Sequence, residues 1–431
     1  MLGVNVLFML FAGVAFLGFI LNALFDKLKI ASVLPLMLIG LLIGPVFNLV
    51  GTGPGSAIAQ LTPYVTALAV SFILFDVGLN MKFSHLKRVI ATATKFTFGL
   101  EIATGVVVSV AAFLALHFTL GWSLIESVIF GFALAGPSAM IVPTLMKLVK
   151  VSDDMKTTLV YESVASDMLE LMVPIILLQL MVSTGMTATA AIGAVIWSII
   201  GAGIVGFVSG ILWLLLLNRF HEASQNYSWM LTIAMVLATY SIAQLLGLAG
   251  AITIFLFGLT FGNIGSIRPK STIAHEPTFT ERYLAMPYDT DHVREYQREI
   301  VFFTSTFFFV YIGILFEVSA LSTPIVVLAL LITFIFILMR VLFTPMLKSY
   351  MHNSSASGPE SSMVHYNIAR GLSPAIVATL PLAYGIAIPS FLDTMFLVIL
   401  ISNIAATVGI FISYKPAGQK GQPPKPSVTP A

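Results

Sequence analysis

Gly136-Pro137-Ser138-Ala139-Met140-Ile141-Val142-Pro143-Thr144-Leu145 has a counterpart far along the chain, Gly371-Leu372-Ser373-Pro374-Ala375-Ile376-Val377-Ala378-Thr379-Leu380. Aligned without gaps, six of the ten positions agree: Gly, Ser, Ile, Val, Thr and Leu. Each stretch puts glycine and proline in the middle of a long apolar run, where either residue interrupts a helix. Two apolar helices broken at matching places are the sequence mark of an internal repeat.

The surroundings of both stretches are apolar throughout. Of 431 residues, 58% are hydrophobic and only 9% are charged, against about 25% charged in a soluble protein. Lipid is therefore the solvent of most of the chain. The net charge of +2 is too small to point to nucleic acid, and the absence of cysteine excludes disulfides and thiolate metal sites. A spanning helix needs roughly 20 apolar residues, and about thirteen segments qualify: 4–25, 31–50, 62–80, 89–118, 123–149, 155–182, 187–218, 228–246, 248–263, 300–318, 322–347, 361–385 and 390–413. The expected fold class is an all-α polytopic membrane protein. The broken stretches fall in the fifth and twelfth spans. An odd offset of seven makes them cross in opposite directions, which is an inverted repeat.

Lysine and arginine orient the spans. Connections after odd-numbered spans carry Lys27, Lys29, Lys82, Lys87, Arg88, Lys147, Lys150, Lys156, Arg219 and Lys348, and those after even-numbered spans carry none. This puts the N-terminus outside and the C-terminus in the cytoplasm, as for a plasma (inner) membrane protein. The long cytoplasmic loop 264–299 is expected to end in a short polar helix from Asp291 to Glu299. The tail 414–431, rich in Pro, Gly and Lys, is expected to be disordered.

Broken helices expose unpaired backbone groups, tolerated at that depth only beside protein or a water-filled cavity. Their ends also aim partial charges at the midplane, so nearby charges matter. The sixth span reads Tyr161-Glu162-Ser163-Val164-Ala165-Ser166-Asp167-Met168-Leu169-Glu170. On a helical wheel Glu162, Ser163, Ser166, Asp167 and Glu170 share an arc of about 140°. A charge at the bilayer centre costs about 2.5–3.5 kcal/mol, so three carboxyls on one face ask for a function. Arg370, at the start of the second broken stretch, is permanently charged and needs an anion or carbonyls. Repeat symmetry makes Glu162 its expected partner and leaves Asp167 to exchange its counter-ion: a proton or a metal ion, not both. Asp76 and Glu170 are further candidates, with Ser138 and Ser373 in the breaks themselves. Glu101 and Lys95, six residues apart, lie on different helix faces, and Glu101 reads as structural. Asn403 reads as an interhelical hydrogen-bonding group. No phosphate loop, zinc spacing or nucleophile triad is present, so no enzyme and no cofactor are expected.

The run Tyr161-Glu-Ser-Val-Ala-Ser-Asp167 resembles the Glu-Ser-x-x-Asn-Asp signature of cation:proton antiporters of the NhaP-type sodium/proton exchanger branch. Phe75-Asp-Val-Gly-Leu-Asn80 is similar to that family's Phe-Glu-x-Gly-Leu-Asn motif. The run from Gly250 to Asn263 resembles its glycine-bounded helix, and Arg370-Gly371-Leu372 its arginine in the second broken helix. The resemblance implies an NhaA-like antiporter fold and a homodimer in the lipid bilayer. It further implies scaffold and dimerisation helices in 1–85 and 183–321, and moving core helices in 86–182 and 322–413. Asp167 would bind the cation with Ser163 beside it, Glu162 held by Arg370, Ser166 adjacent, and the backbone at Ala135 and Gly136 facing the ion. Ser166 stands where the family has Asn, and Ala135-Gly136-Pro137 where it has Thr-Asp-Pro. The implied activity is electroneutral exchange of one monovalent cation for one proton, sodium first, with potassium or lithium as alternatives. A cation channel using the same carboxylates and a sodium-coupled organic-anion symporter are the competing readings.

Overall fold

The computed structural model describes residues 9, 12–21, 24, 33–51, 56–81, 83–139, 141–142, 153–182, 188–219, 228–267, 290–350 and 363–413. The expected disordered tail 414–431, the middle of the long loop and Lys27, Lys29, Lys147 and Lys150 lie outside them. Every element among the described residues is helical. Apart from single turns at Ala57–Gln60 and Val318–Ala320, these are in chain order α1 (Ala12–Leu21), α2 (Val33–Leu41, running on into a π-helical turn Leu42–Val46), α3 (Thr62–Asn80), α4 (Phe83–Leu120) and α5 (Leu124–Ala133). Then follow α6 (Asp153–Val182), α7 (Ala188–Arg219), α8 (Ser228–Leu245), α9 (Gly250–Ile267), α10 (Thr290–Leu315), α11 (Thr323–Tyr350), α12 (Leu372–Ala383) and α13 (Phe391–Ser413). By length and composition, 7 of them are long and apolar enough to cross a membrane: α3, α4, α6, α7, α10, α11 and α13.

Local chemistry sets several of these bounds. α5 starts in a capping box, with the Ser123 hydroxyl accepting from Glu126 N–H and the Glu126 carboxylate from Ser123 N–H, which satisfies two of the orphan donors of a first turn. α5 then stops at Ala133, and 134–139 carry no helix; the fifth span is broken where Gly136 and Pro137 fall. The expected twelfth span is likewise not one helix. Helical residues 363–365 and a turn at 366 lead into 367–371, which carry no helix, before α12 begins; α12 ends at Ala383, and Gly385 just beyond has a φ of +73°, a left-handed turn that glycine takes without strain. The short polar helix expected at Asp291–Glu299 is not separate: it is the first part of α10. No residue there breaks the helix, and its polar side chains are anchored, Gln297 to the Phe72 carbonyl at 2.8 Å and Arg294 to the Gly262 carbonyl at 3.1 Å.

A second repeated pair, not apparent from composition, reinforces the first. Leu38-Ile-Gly-Leu-Leu-Ile-Gly44 of α2 matches Leu256-Phe-Gly-Leu-Thr-Phe-Gly262 of α9 at the two leucines and two glycines, again seven helices apart. The matched glycines do matched work. Gly40 and Gly44 lie against the backbone of α10 at Val310 and Ile314, and Gly258 and Gly262 against that of α3 at Phe75 and Leu79. A Cβ at any of the four would strike main chain. Small residues that let backbones approach are the usual glue between helices in lipid. Elsewhere α4 packs on α5, α6 and α11; α12 packs on α6, α13 and α3; and α9 packs on α3, α7 and α8. The outer face of α7 is apolar and exposed at Ile196, Trp197, Ile200 and Ile204, as lipid requires.

Candidate ion site

The two breaks meet. Ser138 N–H of the first donates to the Ala369 carbonyl of the second at 3.0 Å. Gly371 rests on the Ser138 side chain, and Gly136 on Ser166 of α6; a methyl group at either glycine would overlap its neighbour. The crossing is thus a contact of backbone on backbone, seamed by serine hydroxyls.

Helix ends dictate what surrounds it. The C-terminal end of α5 carries partial negative charge, and Arg370 lies just past it on carbonyls of the non-helical residues that follow. Its guanidinium donates to the Gly136 carbonyl and, at 3.4 Å, to that of Ala135, while Cζ stands 3.9 Å from the centre of the Phe336 ring. The Arg370 carbonyl in turn accepts from Asn403 Nδ2 at 2.6 Å, the interhelical role expected of that asparagine. The N-terminal end of α12 is the opposite case, an anion site. Asp167 of α6 sits there, one oxygen accepting from the Ser373 hydroxyl at 2.8 Å and the other from Ala139 N–H at 3.2 Å. Asp167 is 7% exposed and has no ion-pair partner among the described residues.

Two expectations need correction. Glu162 does not pair with Arg370. It is held by Arg340 of α11, at 2.6 and 3.0 Å through both carboxylate oxygens. Arg370 is drawn instead to the α5 carbonyls, and the acid that acts on it most strongly is Glu170. The carbonyls of Ala135 and Gly136 accordingly face a guanidinium rather than open space for an ion.

The remaining candidates divide. Glu170 joins the crossing, its Oε1 accepting from Gly136 N–H at 2.7 Å. Ser163 is buried and donates to the Val160 carbonyl of its own helix, which leaves its oxygen lone pairs available. Ser166 is buried against Gly136, and Ser138 and Ser373 lie in the crossing. Asp76 is not brought there: it accepts from Asn80 of α3 at 2.9 Å, and the arginines that act on it are Arg298 and Arg294 of α10. The sequence signal for Arg340 is that it is the single arginine inside the eleventh span. Glu101, which reads as structural from the sequence, is buried, with Lys95 exposed on the same helix. Among the described residues no three His, Cys, Asp or Glu side chains converge as a transition-metal site needs. The donors around Asp167 are hard oxygens, suited to an alkali cation.

An inverted repeat whose broken helices cross beside a buried, unpaired carboxylate defines a secondary transporter. The chain belongs to the family described as sodium/hydrogen exchanger, transmembrane, whose model matches residues 12–414, and it is therefore an integral membrane protein. Among curated relatives it is 25% identical over 247 residues to the Na(+)/H(+) antiporter NhaS2 of Synechocystis, covering 57% of this chain and 43% of that one. It is 26% identical over 268 residues to the K(+)/H(+) antiporter NhaP2 of Shewanella oneidensis, covering 60% and 44%. The chain thus spans less than half the length of these relatives. Its fold matches the sodium proton antiporter MjNhaP1 of Methanocaldococcus jannaschii with a TM-score of 0.65 at 19% identity, over 94% of this chain and 95% of that one.

Proposed function

We propose that the protein exchanges one monovalent cation for one proton across the plasma membrane, the two competing for Asp167. One observation carries this reading. Asp167 lies at the meeting of the two breaks, held only by hydrogen-bond donors, with no cationic side chain bonded to it among the described residues. A buried carboxylate in that position must have its charge balanced, and either a proton or a cation does so. Ser163 and Ser166 of the same helix face supply further oxygens. Sodium is the first candidate; relatives named for sodium and for potassium leave potassium and lithium as the alternatives.

The moving group is α4–α6 with α11–α13, and the scaffold, which forms the homodimer, is α1–α3 with α7–α10. The dense packing within each set supports this division. So do two cavities of about 270 and 260 Å³ along the C-terminal half of α12, one beside Glu317 and Asp393, the other beside Thr66, Tyr240 and Tyr384. About thirteen spans with an outer N-terminus put that half of α12 towards the outside, so the cavities read as the outward vestibule.

The test uses vesicles holding a preformed pH gradient, challenged with sodium, potassium or lithium under a potassium-independent voltage clamp. The parent protein dissipates the gradient on adding cation, with saturation and without dependence on voltage. Asp167→Asn lowers the rate by at least about a hundredfold, the scale set by losing the one exchangeable charge. Parent-like exchange by Asp167→Asn would sink the mechanism, and a voltage-driven, poorly saturating flux would replace it with a channel.

A further inference from the structure

Glu101 lies on α4, buried to 3% exposure, and neither carboxylate oxygen has a hydrogen-bond partner. Few native groups are left so, and an unsatisfied buried carboxylate needs a reason. Its position supplies one. A Cβ built on Gly136 would fall 2.7 Å from Glu101 Oε1 and onto Ser166. The carboxylate therefore occupies the volume that the missing side chain of residue 136 leaves open, at the break itself. The Ser166 hydroxyl is beside it, without hydrogen-bond geometry between them and without another partner of its own. The charges acting on Glu101 come from Glu162 and Asp167 of α6 and from Arg370. Four buried carboxyls (Glu101, Glu162, Asp167 and Glu170) thus share the crossing with two buried guanidiniums, Arg340 and Arg370. Glu162 is ion-paired with Arg340, and the Arg370 guanidinium is taken up by the Gly136 and Ala135 carbonyls. Of the other three carboxyls, none makes an ion pair among the described residues: Glu170 accepts from Gly136 N–H, Asp167 from Ser373 and Ala139, and Glu101 from nothing.

We propose that Glu101 is a second carboxylate ligand of the transported cation, reaching in from α4 through the gap that Gly136 leaves, with Ser166 as the hydroxyl between it and α6. It rests on the exchange reading given above. Packing of α4 on both α5 and α6 makes the ligand part of the same moving group as Asp167, so it travels with the ion. A ligand of this kind contributes to ground-state cation binding, so its loss raises KM more than it lowers the maximal rate.

The experiment measures cation-dependent exchange in vesicles, and cation-induced thermal shift of the detergent-solubilised protein, for the parent, Asp167→Asn, Glu101→Gln and Glu101→Asp. Glu101→Gln is expected to raise the apparent KM for sodium about tenfold with a maximal rate within about twofold of the parent, and to shrink the thermal shift produced by sodium. Glu101→Asp keeps the charge but withdraws it by one methylene; it is expected to raise KM less and to change the preference among lithium, sodium and potassium. Parent-like KM values and thermal shifts in both variants overturn the proposal. So does a lowered melting point without cation combined with an unchanged cation-induced shift, which marks a purely structural group. If Glu101→Gln does not accumulate, the KM and ion preference of Glu101→Asp decide alone. Should the parent fail to exchange, or Asp167→Asn exchange normally, the functional reading fails instead, and the two failures are told apart.

Discussion

Asp167 and Glu162 are five residues apart on α6, yet their surroundings are opposite. Glu162 is locked to Arg340 through both oxygens, while Asp167 receives only a hydroxyl and an amide. Removing one member of a buried ion pair leaves the other uncompensated, at a cost of about 3–5 kcal/mol, whereas replacing both is far milder. Arg340→Met is therefore expected to lower the melting point in detergent sharply, and Arg340→Met with Glu162→Gln to recover much of the loss. Thermal melts of the two single variants and the double variant check this; additive losses would show that the pair is not coupled. The place of Asp167 at the crossing was legible in the sequence, because a polar arc on an apolar helix can be drawn from residue spacing alone. The partner of Glu162 was not. Two arginines lay inside predicted spans, and repeat symmetry favoured the wrong one because it ignores the carbonyls at the end of α5. The nearness of Glu101 to Gly136 was hidden for a related reason: spacing relates Glu101 to Lys95 on its own helix but not to a glycine past the end of the next.

At the scale of elements, the crossing depends on two residues without side chains. Gly371 approaches Ser138 so closely that a methyl group would overlap both its Cβ and Oγ, and overpacking of this sort costs about 1–3 kcal/mol. Gly371→Ala is expected to lose about that much stability, read as a lower folded yield and a lower melting point. Gly371→Ala with Ser138→Gly, which vacates the space, should restore them while the Ser138 amide still bonds to Ala369. Failure of the second substitution to rescue the first would place the strain elsewhere in 367–371. The breaks themselves could be read from the sequence, since proline and glycine in a long apolar run leave few alternatives. The second repeat, between α2 and α9, was hidden in leucine and glycine, residues so common in membrane helices that only their shared contact with a facing backbone separates pattern from composition. The joined α10 was obscured because its early polar turns look like loop until Gln297 and Arg294 are seen bonding inward.

At the scale of the whole molecule, the proposed exchange has the group carrying Asp167 move against the scaffold helices. In that proposed division α12 falls in the first and α3 in the second, and they touch through Thr66 and Thr379, whose hydroxyls are 2.8 Å apart. If α12 slides past α3 in each cycle, that contact must break and reform, on the microsecond-to-millisecond scale usual for such gating. The chain contains no cysteine, so a pair introduced here is the only thiol pair in the protein. Hydroxyls 2.8 Å apart make the two positions a candidate pair for a disulfide. Thr66→Cys with Thr379→Cys is therefore expected to exchange cations when reduced, to lose at least about tenfold in rate on oxidation, and to recover with dithiothreitol, a reversible block of the gating motion. Each single variant should ignore the oxidant, and loss of maleimide labelling should report the bond in the double variant. An oxidised, unlabelled double variant that still exchanges at the reduced rate would mean that α12 and α3 move together. The boundary of the moving group would then lie outside α3.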